Sequence, residues 1–295
     1  MSDYILSCCS TVDLSEEHLK SRSLRYARFQ FTLDGVLYED DLGKTIPYDK
    51  FYEAMKKGAE TKTSQINIER YLEYFTSLLS EGKDVLHVTL SSGLSGSHRS
   101  AVNAAEILRE KFPERKLYIV DSLGASSGYG LIMETLADLR DSGYTIDALR
   151  DWIEEHKLEL HHWFFSTDLS FYVKGGRISK TQGIVGGMLS ICPLLNADKN
   201  GQLVPRAKIR TKRRVIAEIV QKMKENAADG LNYSGKCFIS HSACIDDARE
   251  VAALVEENFK NLNGKVLIND IGTTIGSHTG PGTVALFFWG NKRTD

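Results

Sequence analysis

The sequence predicts an α/β fold in two domains, residues 1–160 and 161–295, the first with a mostly parallel sheet covered by helices. Three observations predict it. Apolar runs of strand length alternate with amphipathic runs of helix length through the first half, joined by short links. The pattern changes near residue 160, beyond which glycine punctuates the chain. A length of 295 residues with 42% hydrophobic and 26% charged side chains also suits two ordinary globular domains.

The elements follow in order. Tyr4–Cys9 is a short apolar strand. Glu69–Ser80 is an amphipathic helix, with Tyr71, Leu72, Phe75, Leu78 and Leu79 at helical spacing. Asp84–Leu90 is a strand, and a Ser/Gly loop leads from it into a helix at Ala101–Lys111, which stops before Pro113. Leu117–Val120 is the next strand, followed by a small-residue loop over Asp121–Gly130 and a helix to about Leu139. A helix at Tyr144–His156 closes the first half, and Trp163–Ser166 opens a different layer. Further on, Lys236–Ser240 and Lys265–Ile271 read as strands around a helix at Asp246–Asn261. Thr283–Trp289 is an apolar final strand.

Composition excludes several classes of function. The net charge is −2 and the pI about 6.5, so no global field draws the chain to nucleic acid or to an anionic membrane. The first residues lack the basic and apolar regions of a signal peptide, and no apolar run is long enough to span a bilayer. The five cysteines are odd in number and form no C-x-x-C pair, which fits a reducing cytoplasm and argues against structural zinc. His161-His162 lack the spacing of a helical metal pair, so no metal is assigned.

Five segments carry chemistry. In Val88–Arg99 a strand ends, Ser91, Ser92, Ser95 and Ser97 alternate with Gly93 and Gly96, and a helix begins. Free N–H groups at a helix start and nearby hydroxyls suit a carboxylate or a phosphate. The plain alternative is a serine cap with turn glycines. A Walker A loop and a nucleophile elbow are both absent. In the second segment, Thr63 or Ser64 caps the following helix, or else Thr63 donates to the same anion as Ser92. The third, Lys174–Lys180, sets Arg177 on a glycine turn. The fourth, Arg206–Arg214, holds six cations in nine residues at the start of an apparent helix over Val215–Asn226, which suits an acidic partner or a phosphate. The fifth, Gly276–Thr283, reads as a rigid glycine–proline turn with His278 at its crest.

Taken together these stretches resemble the DegV family, fatty-acid-binding proteins that include the B subunit of bacterial fatty acid kinase. The matching pieces are Ser10-Thr11, Thr63-Ser64-Gln65, Leu90–Gly96, Val120-Asp121-Ser122, Gly175–Ser179, Lys208-Ile209-Arg210 and His278–Thr283, in the family's order. The resemblance implies two α/β domains, the second with a mixed sheet, and a long-chain fatty acid between them with no other cofactor. It implies that Thr63 and Ser92 hold the carboxylate, with Ser95, Arg177 and His278 around it. Arg210 would face a kinase catalytic subunit that phosphorylates the bound carboxyl group. The chain itself would be a carrier rather than an enzyme. Two positions depart from the family: Cys9 where Asp is usual, and Ile66 where Pro is common. The competing reading is an enzyme acting on a phosphorylated or carboxylated metabolite, with His278 as general base.

Overall fold

The computed structural model describes residues 4–179 and 191–295. Lys180, Gly183, Gly186 and Gly187 lie outside the described residues.

The first sheet is wholly parallel, in the order β2-β1-β6-β7. Its strands are β1 (Tyr4–Cys9), β2 (Leu24–Ala27), β6 (Asp84–Thr89) and β7 (Leu117–Asp121). The two central strands read as near-continuous buried runs because helices cover both faces. The helices of this half are α1 (Glu16–Ser21), α2 (Tyr48–Lys56), α3 (Ile68–Leu79), α4 (Ser97–Lys111), α5 (Ser126–Asp141) and α6 (Ile146–His156). Helix α3 shows how the pattern works: Tyr71, Phe75, Leu78 and Leu79 are its buried face, and Asn67 caps it by accepting from Arg70 N at 3.0 Å. The cap is therefore neither Thr63 nor Ser64. Both lie in β5 (Thr61–Ser64), which with β3 (Gln30–Leu33) and β4 (Val36–Glu39) makes a small antiparallel sheet.

The second large sheet is mixed, in the order β10-β9-β8-β13-β11-β12. Its strands are β8 (Leu160–Ser166), β9 (Ile191–Ala197), β10 (Leu203–Arg210), β11 (Phe238–His241), β12 (Leu267–Asp270) and β13 (Thr283–Trp289). Here the helices among the described residues are α7 (Ser170–Lys174), α8 (Lys212–Asn226), α9 (Ile245–Asn258) and α10 (Thr273–Thr279). Side chains alternate strictly along β13. Val284, Leu286 and Phe288 pack into one core with α8 and α9, while Ala285 and Phe287 belong to the core shared with the first half.

Three expectations need correction. The basic run is split, because Arg206, Lys208 and Arg210 alternate on the exposed face of β10 and only Lys212, Arg213 and Arg214 enter α8. The presumed turn over Gly276–Thr283 is half helix: α10 runs through Thr279, only Gly280–Gly282 turns, and Thr283 opens β13. Likewise α5 starts at Ser126, so Gly128 and Gly130 are helical.

Helix α5 joins the two halves, and those glycines explain how. A Cβ at Gly128 would lie 2.4 Å from the Phe287 ring and 2.5 Å from His162 Nε2, whereas one at Gly130 would lie 2.7 Å from Val12 O. The helix is pinched between the mixed sheet and the end of β1. Farther along, Lys236 Nζ reaches Glu134 and Asp138 on α5, each at 2.6 Å, beside His18 and Arg22. Burial opposes ionisation of Glu134, but the bonds from His18 and Lys236 and the charges of Lys236 and Arg22 win, holding the carboxyl down to about 2. The stability this contributes is present above the normal carboxylate pKa and is lost as pH falls towards 2. Lys236→Met is expected to cost about 1–3 kcal/mol in urea denaturation at neutral pH, and the variant should lose less stability than the parent on acidification, because its Glu134 titrates closer to the ordinary carboxylate value.

Candidate functional site

A cavity of about 460 Å³ lies between the loops at the carboxyl ends of the parallel strands and the mixed sheet. That is where open α/β sheets place ligands. Its floor is laid by β8 and β13, through Thr283 and the cross-strand rows Phe164–Ala285 and His162–Phe287. Leu90, Leu94 and Phe29 close it from the first half, and Leu203 and Ile275 from the second.

One end is polar. Thr63, Ser92, Ser95, Arg177 and His278 all line this one cavity, although they come from four separate stretches of chain. Thr63 faces inward from β5 because alternate residues of that strand point to opposite faces. His278 sits in the last turn of α10, and its approach depends on Gly175, where a Cβ would lie 2.3 Å from His278 Nδ1. Arg177 follows at once. Its Nη1 donates to Gly175 O at 2.6 Å and to His278 Nδ1 at 3.2 Å, while Nε and Nη2 donate to Leu94 O at 3.2 and 3.1 Å.

These bonds fix the direction of a relay. Arginine only donates, so His278 Nδ1 must accept. Burial, and then the Arg177 charge, push the His278 pKa down to about 4, so the ring is neutral and carries its proton on Nε2. That Nε2–H donates to Thr63 Oγ1 at 2.6 Å. The Thr63 hydroxyl has accepted, and its own proton is left to donate. Burial also lowers the pKa of Arg177, and among the described residues no carboxylate pairs with it.

The serine loop divides its labour. Ser91 is buried, donates to Gly201 O at 2.9 Å and accepts from Gly93 N at 3.1 Å. Ser97 is buried too and accepts from Ile66 N at 3.2 Å, a bond that proline at position 66 would forfeit. Ser95 Oγ accepts from Ser97 N at 3.2 Å and lies 2.9 Å from Ser97 Oγ, so it braces the start of α4 while lining the cavity. Ser92 alone of the four is exposed; its N–H donates to Asp121 Oδ1 at 3.1 Å, and among the described residues its hydroxyl has no partner. Cys9 is directed elsewhere. It is buried against Tyr71 and His87 in the first core, and burial raises its thiol to about 11. Arg210 is exposed on the edge strand β10 and lines no part of the cavity.

Several supporting residues have no role assigned from the sequence, although Asp121 and Thr283 fall in the matching stretches. Asp121 holds the Ser92 and Leu123 amides, and Tyr172 OH and Thr283 Oγ1 meet at 3.0 Å in the cavity wall. Arg293, buried, donates to Ala197 O, Asp198 O and Leu123 O and so ties the β9–β10 hairpin to the first half.

A family model described as an uncharacterised protein of the DegV family matches residues 9–291. A DegV domain-containing protein of Clostridium perfringens is 32% identical over 293 residues, 99% of each chain. Among solved structures, a DegV family protein from Thermus thermophilus described for its fatty acid binding is similar with a TM-score of 0.86 and 25% identity, over 99% of this chain and 100% of that one. The Streptococcus pneumoniae fatty acid kinase (Fak) B3 protein, loaded with linoleic acid, matches in fold with a TM-score of 0.84 at 21% identity, over 99% and 100% of the two chains. With the family's motifs present in order and its fold matched end to end, the chain belongs to the DegV family.

Proposed function

We propose that this protein carries a long-chain fatty acid, with the acyl chain in the cavity between residues 1–160 and 161–295 and the carboxylate at Thr63 and Ser92. One observation carries the reading: Arg177 stands in the wall of a largely apolar cavity with no carboxylate partner among the described residues. An anion would complete it. The relay through His278 turns the Thr63 proton outward, and the Ser92 hydroxyl is available beside it, so the site offers donors where a carboxylate needs acceptors satisfied. The solved relatives with fatty acids in their descriptions support the same ligand class.

The energetics agree. Each buried methylene contributes about 0.8 kcal/mol, so roughly 14 of them give on the order of 10 kcal/mol before ordering costs. A desolvated carboxylate without hydrogen bonds would cancel much of that gain.

In this reading the protein presents its ligand and performs no chemistry, in the cytoplasm and without a further cofactor. The arrangement of His278 argues against a general base, since its acceptor nitrogen is taken by Arg177 and its pKa lies near 4. The exposed cations Arg210, Arg213 and Arg214 would meet an acidic face on a fatty acid kinase catalytic subunit. The likeness to the Fak B3 protein supports that partner.

Mass spectrometry of an organic extract of the purified protein is expected to recover acyl species; an extract without them would sink the proposal. Thr63→Ala with Ser92→Ala should weaken fatty acid binding by about tenfold or more, read by titrating delipidated protein. The His278 ring in ligand-free protein should titrate near 4 by NMR, and added fatty acid should move the midpoint upward, because a nearby anion favours the charged ring. Arg210→Glu should leave fatty acid affinity unchanged and slow acyl-phosphate formation by a catalytic subunit roughly tenfold.

A further inference from the structure

Helix α10 forms one wall of the cavity, through Thr274, Ile275, His278 and Thr279. Its last turn delivers His278, and its first turn is held by the other half of the chain. Gly272 N donates to Asp13 Oδ1 at 3.0 Å, and Thr274 Oγ1 donates to Asp40 Oδ2 at 2.6 Å. Tyr52 OH donates to Ile271 O at 2.7 Å, just ahead of the helix. Both acids are fixed in turn: Ser126 Oγ donates to Asp13 Oδ2, and Ser10 Oγ donates to Asp40 Oδ2 at 3.1 Å.

Neither acid is explained by stability. Asp13 is 3% exposed and Asp40 1%, and among the described residues neither forms an ion pair. Two carboxyl groups buried without cations cost more than amides or apolar groups of the same shape. Asp13 is bonded at both oxygens, but Asp40 is not: its Oδ1, like Thr273 Oγ1 beside Thr274, is buried without a hydrogen-bond partner among the described residues. Such groups persist where the geometry they impose has a use.

We propose that Asp40 and Asp13 are positioning residues for the head-group site, acting through α10 to place His278 between Arg177 and Thr63. This rests on the fatty-acid reading for its binding consequence, though not for its effect on His278. From Thr274 to His278 is four residues, about 6 Å along a single helical segment. A segment so short moves as one body. Losing its upstream anchor shifts the imidazole, and a hydrogen bond fades within a few tenths of an ångström beyond its normal range. The consequence is that a loop at the end of β1 and a residue after β4 set the direction of the Thr63 proton without touching the ligand.

The test uses the full chain with Asp40→Leu, which removes the acceptor at similar size, Thr274→Val and the double variant. Two quantities are read: affinity of delipidated protein for a fluorescent long-chain fatty acid, and the NMR titration midpoint of His278 without ligand. Each single variant should bind about tenfold more weakly. In each, the His278 midpoint should move up from about 4 towards that of a free imidazole as the ring loosens from burial and from Arg177. The double variant should be no worse than the poorer single one, as expected for two halves of one bond. Lower resistance to urea with unchanged affinity and an unchanged midpoint would mark the acids as merely structural and overturn the proposal, as would full additivity. If Asp40→Leu does not fold, Thr274→Val decides alone on the same readouts. If the parent binds no fatty acid, the functional reading fails, while the His278 midpoint still decides this one.

Discussion

The closeness with which α5 is gripped between two sheets governs everything else in this molecule. Gly128 and Gly130 sit two residues apart on one helix, and each is bare because something from an opposite side occupies its Cβ position. A single side chain at either place would push the mixed sheet away from the parallel one. The cavity is what is left beside that contact, where loops rather than a helix span the gap. Its width is set by the helix, its floor by β8 and β13, and its lid by the turns after β6 and β7. The hairpin tip joins this arrangement through a second pair of bare positions. Gly93 packs on Asn200 O, and Gly201 on the hydroxyl of Ser91.

Within that frame the polar end works by the direction of its hydrogen bonds. Arg177 is held by backbone carbonyls from both sides of the site, Gly175 O and Leu94 O, so its position owes nothing to a carboxylate. Among the described residues no carboxylate offsets its charge, and its donation to His278 settles the tautomer of a ring that is neutral at neutral pH. Each group in the chain from Arg177 to Thr63 gives a proton to the next. This polarity favours an acceptor at the end of the line and disfavours a donor. The serine loop contributes in the same sense, since three of its four hydroxyls are bound within the fold and, among the described residues, only that of Ser92 is left over.

Much of this was legible in the sequence, and the rest failed for physical reasons. The alternation of β1, α3, β6, α4 and β7 was readable because each element has one partner face and a clear period. The short sheet of β3, β4 and β5 was not, since four-residue, half-exposed strands carry too few positions for any period to emerge. Thr63 was read as a possible cap because hydroxyl residues before a helix usually are, while the true cap, Asn67, lay four residues on. Glycines misled twice, at Gly128 and at Gly276, where they mark close approach rather than a turn. The Cβ of residue 276 would meet Tyr52 OH at 2.4 Å. The five residues of the polar end were assembled by resemblance and not by spacing, which cannot bring Thr63 to His278 across 215 positions. Asp13 and Asp40 gave no signal at all, because an isolated acid in a sequence reads as surface.

The strict alternation along β13 has a consequence for how such a protein changes. Ala285 and Phe287 face the cavity, whereas Val284, Leu286 and Phe288 face the core beneath α8 and α9. Neighbouring codons therefore answer to different demands, one set to what the cavity admits and the other to whether the domain folds. Variation in the first set can reshape the space while the second keeps the sheet intact. A lineage can in this way explore new ligands along a strand whose every other residue stands still.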